Sequence, residues 1–180
     1  MTYLQIFLVQ FTLSLVLYSL IAKWYIAPRL AKLPLHDALI PLLFLHAFRH
    51  MGLVFLVPTV VGSTLPELFA VPTAYGDLLT GLLALLAIVG LRGRWPGGIA
   101  LAWLVNVIGI LDFMWGNYQG LKFQVALGAA YYIPTVVNPA MWVAHFMMLW
   151  MLIKHLVRRG RGRSGEKLEV RVPEGHTART

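Results

Sequence analysis

The sequence predicts an all-α integral membrane bundle of five transmembrane helices. Three observations carry that prediction. First, 59% of the 180 residues are hydrophobic and 12% are charged, against about 25% charged in a soluble domain. Mean hydropathy is +0.73, so there is too little polar surface to cover a water-exposed globule. Second, five apolar stretches reach the roughly 20 residues that a helix needs to cross a bilayer. Third, basic residues cluster in alternate connections between those stretches.

The first span covers about residues 3–26. It has no basic leading region and no small-residue cleavage site, so it reads as an anchor rather than a secretory signal. The second covers about 37–61, with Asp37 expected at the N-cap, Pro41 in the first turn and Pro58 at the end. The third, about 75–91, follows Pro72 as a breaker, and the fourth, about 97–116, follows Pro96. The fifth opens at Asn138-Pro139 and runs to about residue 157. The long apolar connection 117–137 reads as a headgroup-level loop, with an interfacial or re-entrant helix as the alternative. Residues 158–180 read as a basic, disordered cytoplasmic tail.

Charge sets the orientation. Lys23, Arg29 and Lys32 flank the first connection, Arg92 and Arg94 lie in the third, and Lys154, Arg158, Arg159, Arg161 and Arg163 follow the fifth span. The second connection has no Lys or Arg, and the fourth has Lys122 alone. By the positive-inside rule the N-terminus is outside and the C-terminus cytoplasmic. The expected location is the bacterial inner membrane. The net charge of +8 is thereby read as a topology signal with lipid as its partner. The C-terminal basic cluster is suited to anionic lipids, and nothing points to nucleic acid. A homo-oligomer or a membrane-protein partner is compatible with the size of the chain.

Against this apolar background the stretch "FLHAFRHMGLVFL" stands out. His46, Arg49 and His50 are spaced i, i+3, i+4 and share one face of an α-helix. Arg49 falls at the centre of the second span, where a guanidinium costs about 2.5–3.5 kcal/mol on insertion scales and must face a partner. Counting 1.5 Å per residue puts Asp112 one to two turns outward of the midplane, Asp77 further out, and His145 and Asn106 near the midplane. Arg49 with Asp112 is the leading ion pair, and Asp77 is second. Gly109, Asp112 and Gly116 share one helix face, as do Asp77, Thr80, Gly81 and Ala84, so the acids lie on close-packing surfaces.

The expected centre therefore comprises His46, Arg49, His50, Asp112 and His145, supported by Asp77 and Asn106. Its leading reading is non-enzymatic: it binds a small anionic or protonatable ligand, or relays protons. No catalytic residue and no metal ligand is assigned. With no cysteine, disulfides, iron–sulfur clusters and Cys-ligated zinc are excluded. There is no Gly-x-Ser-x-Gly nucleophile motif, and no Glu follows His46 to make a zincin pattern. The alternative is a redox protein with a single haem b, ligated by His145 and one histidine of the second span, or with one metal ion. A further alternative is an accessory or assembly subunit whose buried charges only fix helix packing.

Overall fold

The computed structural model describes residues 1–62 and 65–169, with side chains as far as residue 161. Every long element is helical, and five helical segments are long and apolar enough to cross a membrane. Helix α1 (Tyr3–Ile21) passes through a π-helical turn (Ala22–Ile26) into α2 (Ala27–Leu30). Thr2 starts it with a capping box: Gln5 N–H donates to Thr2 Oγ1, and Thr2 N–H donates to Gln5 Oε1. No side chain of α1 is buried, because this helix lies at the edge of the bundle and packs chiefly on the last helix.

Helix α3 (Leu35–Ala47) tightens into a nine-residue 3₁₀ segment (Phe48–Leu56). The extended residue Val57 and the single-turn α4 (Pro58–Val61) follow. Helices α5 (Glu67–Arg92), α6 (Gly98–Lys122) and α7 (Asn138–Glu169) complete the bundle. The central packing is that of α5 against α6, α3 and the 3₁₀ segment, with α7 closing the side.

Several boundaries differ from expectation. Asp37 is not an N-cap: α3 begins two residues earlier, after Pro34, and Asp37 sits in its first turn. There its carboxylate favours the positive helix end and accepts from Arg94 at 2.8 and 3.0 Å. Pro41 is consequently interior to the helix. The second apolar helix ends at Leu56 rather than 61, since Val57 leaves helical geometry ahead of Pro58.

Pro72 does not break α5 but lies inside it. Proline cannot donate to the carbonyl four residues back, which leaves the Leu68 oxygen without its helical partner. The buried Gln119 amide of α6 donates to that oxygen at 3.3 Å instead. Helix α6 continues to Lys122, and only residues 123–127 separate it from a 3₁₀ turn (Gly128–Tyr131) and a π-turn (Ile133–Val137) that lead into α7. Gly128 takes φ +50°, and a Cβ there would meet the Val61 carbonyl carbon at 2.7 Å, so this connection folds tightly onto α4.

Helix α7 also passes its expected end at 157. The residues that follow contain no proline as far as Glu169 and several helix-favouring Arg, Lys and Glu, so the first part of the expected disordered tail is helical. Residues 170–180 lie outside those described.

The interior is layered. One half of the bundle holds an apolar cluster built around Leu39, Leu43, Ala87, Leu91, Met148 and Leu152. The opposite end is covered by a second cluster that includes Phe55, Val61, Phe69, Val125 and Leu127. The buried side chains His46, Arg49, Asp77, Asn106 and His145 lie between them.

Candidate functional site

The change of helix type at Phe48 decides what faces that layer. A 3₁₀ helix has three residues per turn, so every third side chain shares a face. His46, Arg49, Gly52 and Phe55 are the buried positions, and Arg49 is 1% exposed. His50 is turned outward by the same tightening. It is exposed, and its Nδ1 donates to the Ala47 carbonyl at 2.9 Å on its own helix. The expected His46–Arg49–His50 face thus loses His50, because the i, i+4 relation holds for 3.6 residues per turn and not for three.

Arg49 is the hub. Its Nε donates to Asp77 Oδ1 at 2.6 Å, and its Nη2 donates to Asp112 Oδ2. Its Nη1 donates to the Gly109 carbonyl at 3.0 Å and points at His145 Nε2 at 3.4 Å. The guanidinium carbon lies 3.8 Å from the centroid of the Phe113 ring, a cation–π contact in a desolvated setting. The two candidate acids are therefore not alternatives: α5 and α6 each deliver one carboxylate to a single guanidinium.

Geometry also fixes the roles of His145. Arginine can only donate, so Nε2 is the accepting nitrogen and the proton sits on Nδ1. That Nδ1–H faces Asn106 Oδ1 at 2.8 Å. The ring further packs edge-on against Phe113. His46 lies against His145 with ring centroids 3.9 Å apart. Among the described residues neither nitrogen of His46 has a hydrogen-bond partner.

Glycines make the room. A Cβ on Gly52 would collide with the Asp77 side chain, and one on Gly76 with the Asp112 carboxylate. A Cβ on Gly109 would come within 2.5 Å of His145 Cε1 and 2.8 Å of Arg49 Nη1. Gly81 lets α5 approach the chain of the 3₁₀ segment, with a hypothetical Cβ 3.2 Å from the Ala47 oxygen. Sequence reasoning found the Gly81 and Gly109 faces but missed Gly52, Gly76 and Phe113. Gly52 follows Arg49 by three residues, and a 3₁₀ register keeps the whole series His46, Arg49, Gly52 and Phe55 on one face, where an α-helix would turn it progressively away.

The charge balance is simple. Arg49 contributes +1, Asp77 and Asp112 contribute −2, and the paired His145 is neutral, so the centre carries a formal −1. The donor set does not suit a bis-imidazole haem. His46 and His145 are in direct ring contact, tilted by 36°, which leaves no room for a porphyrin between them, and both nitrogens of His145 already serve Asn106 and Arg49. With His46 buried and His50 exposed, the His-x-x-x-His pair does not converge either. No group of three or more His, Asp or Glu among the described residues could hold a metal ion.

Neither the curated proteins nor the solved structures contain a match to this chain. One protein-family model, described as a domain of unknown function (DUF8737), matches residues 6–153. That stretch contains every side chain of the buried centre, and the chain belongs to the DUF8737 family.

Proposed function

We propose that this protein crosses the bacterial inner membrane five times, N-terminus outside, and that its buried centre holds an exchangeable proton. The alternation of basic connections supports the orientation. The Arg94–Asp37 pair ties the third connection to the start of α3, which fits the first and third connections lying at the same end of the bundle. The proton reading rests on one observation: a single guanidinium is shared by two carboxylates from different helices.

In a medium that solvates charge poorly, the remaining −1 is offset most simply by one proton on the carboxylate pair. Arg49 is the charged group that faces that pair; His145 on α7 touches Arg49 from behind, and Asn106 and His46 in turn touch His145. Anion capture is the weaker reading, because four N–H groups of Arg49 are committed within the protein. The role is one of binding and proton exchange rather than bond-making catalysis.

Infrared difference spectroscopy of the purified protein across a pH step tests this. The expected result is a deuterium-sensitive carboxylic-acid carbonyl band that Asp112→Asn or Asp77→Asn removes or shifts. A folded protein with no such band, or with one indifferent to both substitutions, overturns the reading.

A further inference from the structure

The buried centre is not symmetrically placed between the two ends of the bundle. Asp112 is ten residues from the Lys122 end of α6 and fourteen from Gly98, about 15 against 21 Å at the helical rise. Asp77 is ten residues from Glu67 and fifteen from Arg92. The two carboxylates are also the wettest members, with side chains 9% and 10% exposed against 0% for Arg49.

The seam between α5 and α6 changes character on either side of the carboxylates. Toward the Glu67/Lys122 end, one turn from Asp77 comes Thr73 and one turn from Asp112 comes Gly116. They touch, since a Cβ on Gly116 would lie 3.3–3.4 Å from the Thr73 side chain. Gln119 follows on the next turn. Thr73 Oγ1 and Gln119 Oε1 are buried, and among the described residues neither has a hydrogen-bond partner. Thr73 is 8% exposed and Gln119 3%. Buried oxygens of this kind are nearly always satisfied, by protein or by ordered water. Two of them in file beside a carboxylate mark a path that water can wet, running alongside the apolar cluster of Phe55, Phe69 and Val125 that covers the rest of this end.

Toward the other end, the last buried polar side chains are Thr80 and Asn106. Beyond them every buried side chain among the described residues is apolar, among them Leu43, Ala87, Leu91, Ala102 and Met148, each 0% exposed. The eight residues from Asn106 to Gly98 span about 12 Å of such packing.

We infer that the centre exchanges water and protons with one face only, along the Thr73–Gly116–Gln119 seam, and that the apolar layer seals it from the other face. This rests on the preceding reading that the centre holds a proton. It makes the protein a one-sided proton-binding device rather than a proton wire across the membrane. Within the proposed topology the open side is the external one.

The absence of native cysteine allows a direct test in the full-length protein in proteoliposomes. Single cysteines are probed with a small, charged, membrane-impermeant methanethiosulfonate added to either face. Lys122→Cys and Gly97→Cys, at exposed opposite ends, report which face is which. Thr73→Cys is expected to label only from the Lys122 face. Ala87→Cys and Ala144→Cys are expected to resist reagent from both faces and to label after denaturation.

If Thr73→Cys fails to fold, Gly116→Cys occupies the same seam. Native labelling of Ala87→Cys or Ala144→Cys overturns the inference. So does a folded seam cysteine that labels from the Gly97 face or from neither face. The infrared band separates the two readings. One-sided labelling without the band sinks the proton and keeps the access path, whereas the band with two-sided labelling does the reverse.

Discussion

Gly109→Ala should destabilise the protein, although in most helix interiors glycine is the poorer residue. In a free helix the exchange gains about 0.5–1 kcal/mol from backbone entropy. At position 109 the new methyl would sit 2.5 Å from His145 Cε1 and 2.8 Å from both His145 Nε2 and Arg49 Nη1. Those atoms are not free ends: His145 is held by Asn106 and Arg49, and Arg49 by two carboxylates. Overpacking of this kind costs about 1–3 kcal/mol, and it also strains the 3.0 Å bond from Arg49 to the Gly109 carbonyl.

The expected net effect is a loss of about 1–2 kcal/mol, the overpacking cost exceeding the propensity gain. Reversible unfolding in mixed detergent micelles, followed by circular dichroism, measures it. Gly120→Ala, on the same helix, is the control, because a Cβ there meets only the Phe69 ring at 3.5 Å, an ordinary contact; it should be neutral or gain up to about 1 kcal/mol. In a His145→Ala background the penalty at 109 should shrink, since the closest obstructing atoms are gone. If Gly109→Ala is as well tolerated as Gly120→Ala, the packing of His145 and Arg49 against α6 is refuted.

Two further outcomes follow from the same packing. Gln119→Leu should cost about 1–2 kcal/mol by leaving the Leu68 carbonyl unpaired. Most of that cost should vanish in a Pro72→Ala background, where the helix supplies its own N–H; an unchanged cost would show that Gln119 does not serve that oxygen. His50→Ala should change stability by less than about 0.5 kcal/mol, as exposed sites do, and should leave the infrared band intact; a large effect would return His50 to the centre.

The sequence was informative where physics leaves one solution. Apolar runs of membrane-spanning length leave little choice but helices, and each of the five expected spans coincides with one of the five long apolar helices. Depth counting put Asn106 and His145 near the level of Arg49, with Asp112 one to two turns outward and Asp77 further out, yet both acids reach the guanidinium. Azimuth is less forgiving. A change from 3.6 to three residues per turn rotates successive positions by an extra 20°, and that was enough to remove His50 and to bring in Gly52.

Prolines misled for a related reason. Pro72 reads locally as a break, yet Gln119, 47 positions along the chain, satisfies the carbonyl it orphans. Which of two acids takes a guanidinium was likewise posed as a choice. Nothing in spacing alone reveals that Nε and Nη2 can serve one each.

The central claim is that Arg49 pairs with two carboxylates at once, and the most direct test is the relative stability of Arg49→Leu and Asp112→Asn. Removing the guanidinium leaves two buried acids uncompensated and should cost about 3–5 kcal/mol. Asp112→Asn leaves a neutral Arg49–Asp77 pair and should cost about 1 kcal/mol, near the value of one net hydrogen bond. Equal costs, or a larger cost for Asp112→Asn, would contradict the account.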